Sequence, residues 1–156
     1  MKIAAITGER QGGIVEVADP KAKEDWVVVK VQAAPMCTEY KGFVGGRESN
    51  SLGHEASGEV VDVAQPGKVK VGDRVAVMPQ YPCGKCPLCV SGDYIHCQNT
   101  ADFQAFTGGS AGRATMAQYL LKPDWILPEI PDGVSYEHGA LACCGIGPTF
   151  GAMQRM

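Results

Sequence analysis

Residues 82–97 read Pro82-Cys83-Gly84-Lys85-Cys86-Pro87-Leu88-Cys89-Val90-Ser91-Gly92-Asp93-Tyr94-Ile95-His96-Cys97. Four thiols at the spacing Cys83-x2-Cys86-x2-Cys89-x7-Cys97 can close a tetrahedron around one metal ion, and such a shell leaves no open position for a substrate. The site is therefore expected to be structural, with zinc preferred over iron, which an all-thiolate site also accepts. From about 79 to 100 the apolar periodicity of the chain disappears. This segment cannot build a core of its own and needs a cross-link, for which metal is the natural choice. His96 adjoins Cys97 and is read as a surface residue.

Outward from this lobe the chain reads as mainly β with short helices. Residues 2–6 and 13–17 form two short strands about a glycine turn. Residues 26–34 (WVVVKVQAA) are rich in β-branched residues, and 55–63, the end of 67–78 and 114–121 also read as strands. Residues 38–50 are irregular or a short helix. Residues 135–156 begin as a helix with Ser135 as N-cap.

The chain has 156 residues, 45% hydrophobic and 20% charged, which fits one globular domain. A net charge of -3 argues against a dedicated nucleic-acid binder. No apolar run approaches a membrane span, and residues 1–8 lack the apolar core of a signal peptide, so a cytoplasmic protein is expected. In that compartment the seven cysteines should stay reduced and point to metal before disulfide.

Four ordered motifs resemble the zinc-containing medium-chain dehydrogenases/reductases of the alcohol dehydrogenase family. They are the four-cysteine segment, Gly53-His54-Glu55-x2-Gly58, Gly72-Asp73-Arg74-Val75, and the stretch SYEHGALACCGI at 135–146. The resemblance covers essentially the whole chain. It implies that residues 1–156 are the GroES-like catalytic domain, a partly open β-barrel with a four-cysteine zinc lobe at about 79–100. It also implies a catalytic zinc held by Cys37, His54 and a late cysteine. Read from upstream, the late ligand is Cys143; read back from Phe150-Gly151, it is Cys144, one residue on. Cys143 is preferred. Glu55 is expected beside the metal.

The family usually has Ser or Thr two residues after the first zinc cysteine, as a proton relay. Here Thr38 stands one residue on and Glu39 two, so either could pass the proton, Thr38 through its hydroxyl and Glu39 as a general base. This departure argues against a standard short-chain alcohol oxidiser.

The implied enzyme is an NAD(P)-dependent alcohol or polyol dehydrogenase acting on a small-molecule alcohol or carbonyl, with homo-oligomers implied by the family. The nicotinamide fingerprint, a strand–G-x-G-x-x-G–helix unit, is not found. Gly145-Ile146-Gly147 gives only G-x-G, with Phe150 where the third glycine should stand. The Rossmann domain is thus expected to be absent from this chain, with 135–156 leading toward it, and a truncated domain without hydride-transfer activity is expected. The competing classes are a non-catalytic zinc-binding or assembly module and a thiol-redox protein. The second predicts reactive, low-pKa thiols, whereas zinc-bound thiolates resist alkylation.

Overall fold

A computed structural model describes residues 1–156. Strands β1 (Lys2–Gly8) and β2 (Gln11–Glu16) form an antiparallel hairpin. Strands β3 (Trp26–Ala33), β4 (Ala56–Asp62), β5 (Arg74–Val77) and β6 (Tyr119–Pro123) form an antiparallel sheet in the order β5-β4-β3-β6. Single bridges from Ile3 to Ala117 and from Ile6 to Ser49 tie the hairpin to the rest of the chain. The result is the mainly β architecture of open sheets with a few short helices that the sequence suggests. These helices are α1 (Glu39–Val44), α2 (Pro87–Val90), α3 (Phe103–Thr107), α4 (Tyr136–Ala140) and α5 (Gly147–Met153).

The fold buries both faces of the first half of β3, Trp26 to Val29, as its β-branched run requires. Val27 and Val29 point into a core with Val60, Val75, Val77, Leu120 and Leu127. Trp26 and Val28 point the other way, against Phe103 and Leu121. There the Trp26 ring stacks on Phe106 at 4.6 Å and on Tyr81 at 5.6 Å. Gly58 sits where β4 presses on β3. A Cβ there would lie 2.2 Å from the Lys30 carbonyl oxygen, so no other residue fits without moving a strand.

Two expectations shift. The strand expected over 114–121 begins only at Tyr119 and runs to Pro123. Before it, the chain spends its backbone groups on the Gly53 loop and the hairpin: Met116 N–H donates to Leu52 and Gln118 N–H to Lys2. The expected C-terminal helix is split. Ser135 does cap α4, its Oγ accepting from the His138 N–H at 3.3 Å, but the helix stops at Ala140. Residues 141–146 turn before Pro148 opens α5 in its first turn. No helix is long and apolar enough to cross a membrane.

Candidate metal centre

In the lobe the four cysteines converge, with Cys83, Cys86, Cys89 and Cys97 Sγ all within 4.8 Å of one another. Zinc–sulfur bonds of about 2.3 Å set the edges of a tetrahedron at about 3.8 Å. Sγ of Cys89 lies 3.5 Å from that of Cys86 and 3.9 Å from that of Cys83, so the donor set fits such an ion. Backbone N–H groups face the sulfurs: those of Lys85 and Cys86 donate to Cys83 Sγ at 3.4 Å, and that of Cys83 to Cys97 Sγ at 3.3 Å. These donors favour thiolate. The Cys83 thiol is lowered by the N–H groups of Lys85 and Cys86, and Cys86 is brought down to about 6 by those of Gln98 and Cys89. Burial pushes Cys89 up to about 12. His96 is exposed and lies outside the cluster, as expected. The lobe rests on Trp125, whose ring lies against Gly84 and meets Tyr94 edge-on at 5.7 Å.

A second group gathers Cys37, His54, Glu55 and Cys144, again with one ligand atom of each within 4.8 Å of the others. Cys37 follows β3 just before α1. His54 and Glu55 stand directly before β4, behind Gly53. That glycine has φ +82°, and a Cβ on it would meet Thr115 Oγ1 at 2.4 Å. Glu39, in the first turn of α1, reaches back with both carboxylate oxygens. Oε2 accepts from the Cys37 N–H at 2.9 Å and Oε1 meets His54 Nδ1 at 2.8 Å. An Nδ1–H given to Glu39 leaves Nε2 as the lone-pair nitrogen, turned toward the group. Burial would raise the Glu39 carboxyl, but the backbone N–H groups of Glu39 and Cys37, together with His54, hold it below its ordinary value.

Glu55 is 2% exposed. Its Oε2 accepts from the N–H groups of Cys144 at 2.7 Å and Gly145 at 3.1 Å, and Oε1 lies 3.6 Å from His54 Nε2. These bonds decide which of the two late cysteines stands at the group. They fix the turn after α4 so that Cys144 joins Cys37 and His54, while Cys143 points away with its Sγ 3.5 Å from the Val77 carbonyl. Adjacent residues in a turn cannot both face one point, and Glu55 selects the second. Burial and then the Glu55 charge raise Cys143 to about 11. Arg74 supports the same segment: it donates to the Val134 carbonyl and lies over the Tyr136 ring at 4.7 Å. Thr38 stands at the N-cap position of α1 without a side-chain capping bond, exposed and outside the converging group.

The alcohol dehydrogenase GroES-like domain family matches residues 23–132. This chain belongs to that family. Its relatives include an uncharacterized zinc-type alcohol dehydrogenase-like protein, YdjJ, of Escherichia coli, 35% identical over 82% of this chain and 39% of its own length. The D-arabitol-phosphate dehydrogenase of Enterococcus avium is 34% identical over 88% of this chain and 41% of its own. The alcohol dehydrogenase TADH from Thermus sp. ATN1 shares the fold, with a TM-score of 0.80 at 22% identity, covering 99% of this chain and 47% of that one. The chain spans about two fifths of the length of the curated relatives it matches.

One position bears directly on how the second group would hold a metal. Glu39→Ala should leave the His54 ring free to rotate and lower metal affinity at the second group about 10- to 100-fold. Competition with a chromophoric chelator measures this; an unchanged affinity would show that Glu39 does not orient His54.

Proposed function

We propose that these residues are the substrate-activating domain of an NAD(P)-dependent alcohol or polyol dehydrogenase, with a structural zinc on Cys83, Cys86, Cys89 and Cys97 and a catalytic zinc on Cys37, His54 and Cys144. The observation that carries the reading is the convergence of Cys37, His54 and Cys144 from three distant segments. Two thiols and an imidazole are a three-ligand set whose fourth position is open while Glu55, the remaining member of the group, stays on the Cys144 and Gly145 N–H groups. A zinc ion bound there would supply Lewis acidity toward a hydroxyl or carbonyl oxygen. The protein's own part is positional. Glu39 holds the His54 ring, and Glu55 holds the turn that presents Cys144. With both oxygens engaged, Glu39 serves as a positioning residue. That leaves the Thr38 hydroxyl, exposed at the start of α1, as the group to pass the substrate proton toward solvent. In this reading the nicotinamide is held outside these 156 residues, which by themselves carry out no hydride transfer. The substrate is a small alcohol or polyol, and the reduced cysteines suit a cytoplasmic enzyme.

The test is metal content by elemental analysis after dialysis. The wild-type chain should hold two zinc ions and His54→Ala one, with the lobe's ion retained. Equal metal content in the two proteins would remove the reading.

A further inference from the structure

Beside the second metal group opens a cleft of about 380 Å³, lined among others by His54 of that group and by Ser51, Tyr81, Arg113, Thr115 and Lys122. Lys122 lies on β6 in the inward register of Leu120 and is 1% exposed. Its ammonium donates to the carbonyls of Gln80 at 2.8 Å and Pro79 at 3.3 Å, and sits 3.4 Å from the Tyr81 ring centroid. No carboxylate pairs with it, and none pairs with Arg113. A buried cation is ordinarily paired, because desolvation penalises it otherwise. Here a second cation is placed at the same cleft, where the two repel. Thr115, also 1% exposed, lines the cleft with an Oγ1 that has no hydrogen-bond partner. Two cations without a carboxylate partner, Lys122 buried on backbone carbonyls and Arg113 exposed, and an unsatisfied hydroxyl together describe an anion site whose counter-ion comes from outside the chain.

We infer that this cleft receives the phosphate monoester end of a phosphorylated polyol, with Lys122 and Arg113 as its charge partners and Thr115 as a hydroxyl donor. The shared wall at His54 places that end beside the group where the hydroxyl would be activated. The inference rests on the proposed dehydrogenase reading for the word substrate; the anion site itself rests only on the cleft.

The experiment is calorimetric titration of the zinc-loaded chain with inorganic phosphate and with glycerol 1-phosphate, at ionic strength fixed with sodium chloride. One phosphate per chain is expected, with a millimolar or tighter Kd. Lys122→Met should weaken it at least about 10-fold and the exposed Arg113→Gln several-fold, while Lys21→Gln, remote from the cleft, should leave it unchanged. Glycerol 1-phosphate should compete for the same site. Absence of binding, or binding that both cleft variants leave intact because phosphate sits directly on the metal, overturns the inference. Metal content keeps the two claims apart. Two zinc ions without phosphate binding would end the anion site and leave the dehydrogenase reading standing. Phosphate binding with unaltered metal in His54→Ala would do the reverse.

Discussion

Cys89→Ser is expected to strip the metal from the lobe and lower the melting temperature by about 10 °C. Residues 79–100 contribute little to either apolar core, so the cross-link is what holds them. Cys89 is the most enclosed of the four, 4% exposed and within 3.9 Å of two other sulfurs. A structural zinc site contributes roughly 10–16 kcal/mol in isolated zinc-finger peptides. A loss of about 4 kcal/mol from removing one ligand is a fraction of that. At about 2–4 °C per kcal/mol for a chain of this size, it gives the stated drop. Calorimetric melting with metal analysis checks it; an unchanged melting temperature with full metal content would defeat the claim.

Lys122→Met should change the pH dependence of stability by about 5 kcal/mol. Burial pushes the Lys122 ammonium down to about 7, against about 10.4 in an unfolded chain. Its folded pKa is the lower one, so the unfolded state binds the extra proton between these values. The group therefore opposes folding in full below pH 7, and its penalty fades as pH rises to about 10.4. Methionine fills similar space without a charge. The variant should gain on the parent below pH 7 and lose that gain by pH 10.5, where the neutral amine still serves the carbonyls of Pro79 and Gln80. Groups that do not interact with Lys122 are common to both proteins and cancel in the difference, while its charge neighbours Cys143 and Arg113 stay part of the measured change. Urea unfolding at several pH values measures it, and parallel curves for the two proteins would show that Lys122 keeps an ordinary pKa when folded. A residue that opposes folding and yet stands in a binding cleft is the pattern expected where function and stability compete.

The two groups of ligands differ in how far their residues could be read in advance. The lobe is legible because its four cysteines fall within fifteen residues and their spacing is itself the geometry. The strands are legible where β-branched runs are long, as over Trp26–Ala33, and less so over 114–123, where pairing partners elsewhere decide where the strand begins. His54, Glu55 and Cys37 come through the family motifs. The choice between Cys143 and Cys144 does not, because it is made by a carboxylate 89 residues away accepting from the Cys144 backbone N–H. No motif marks Lys122, although one signal is present: Leu120 and Lys122 alternate onto the same face of β6, which makes a lysine on a buried face detectable once the strand is placed. The double use of Glu39 has no comparable signal, since it depends on α1 folding its first turn back over Cys37.

The Glu55 clasp on the Cys144 turn has a consequence for how the unfolded chain reaches this state. The lobe closes a loop of 14 residues between Cys83 and Cys97, whereas the clasp must close one of 89. By loop-closure entropy alone the longer ring costs about 1.6 kcal/mol more. It also encloses the lobe, so a lobe already cross-linked shortens the remaining flexible path. One centre can be completed locally by a nascent or partly unfolded chain. The other becomes available only when the sheet is already assembled, which makes its occupancy a report on the whole fold.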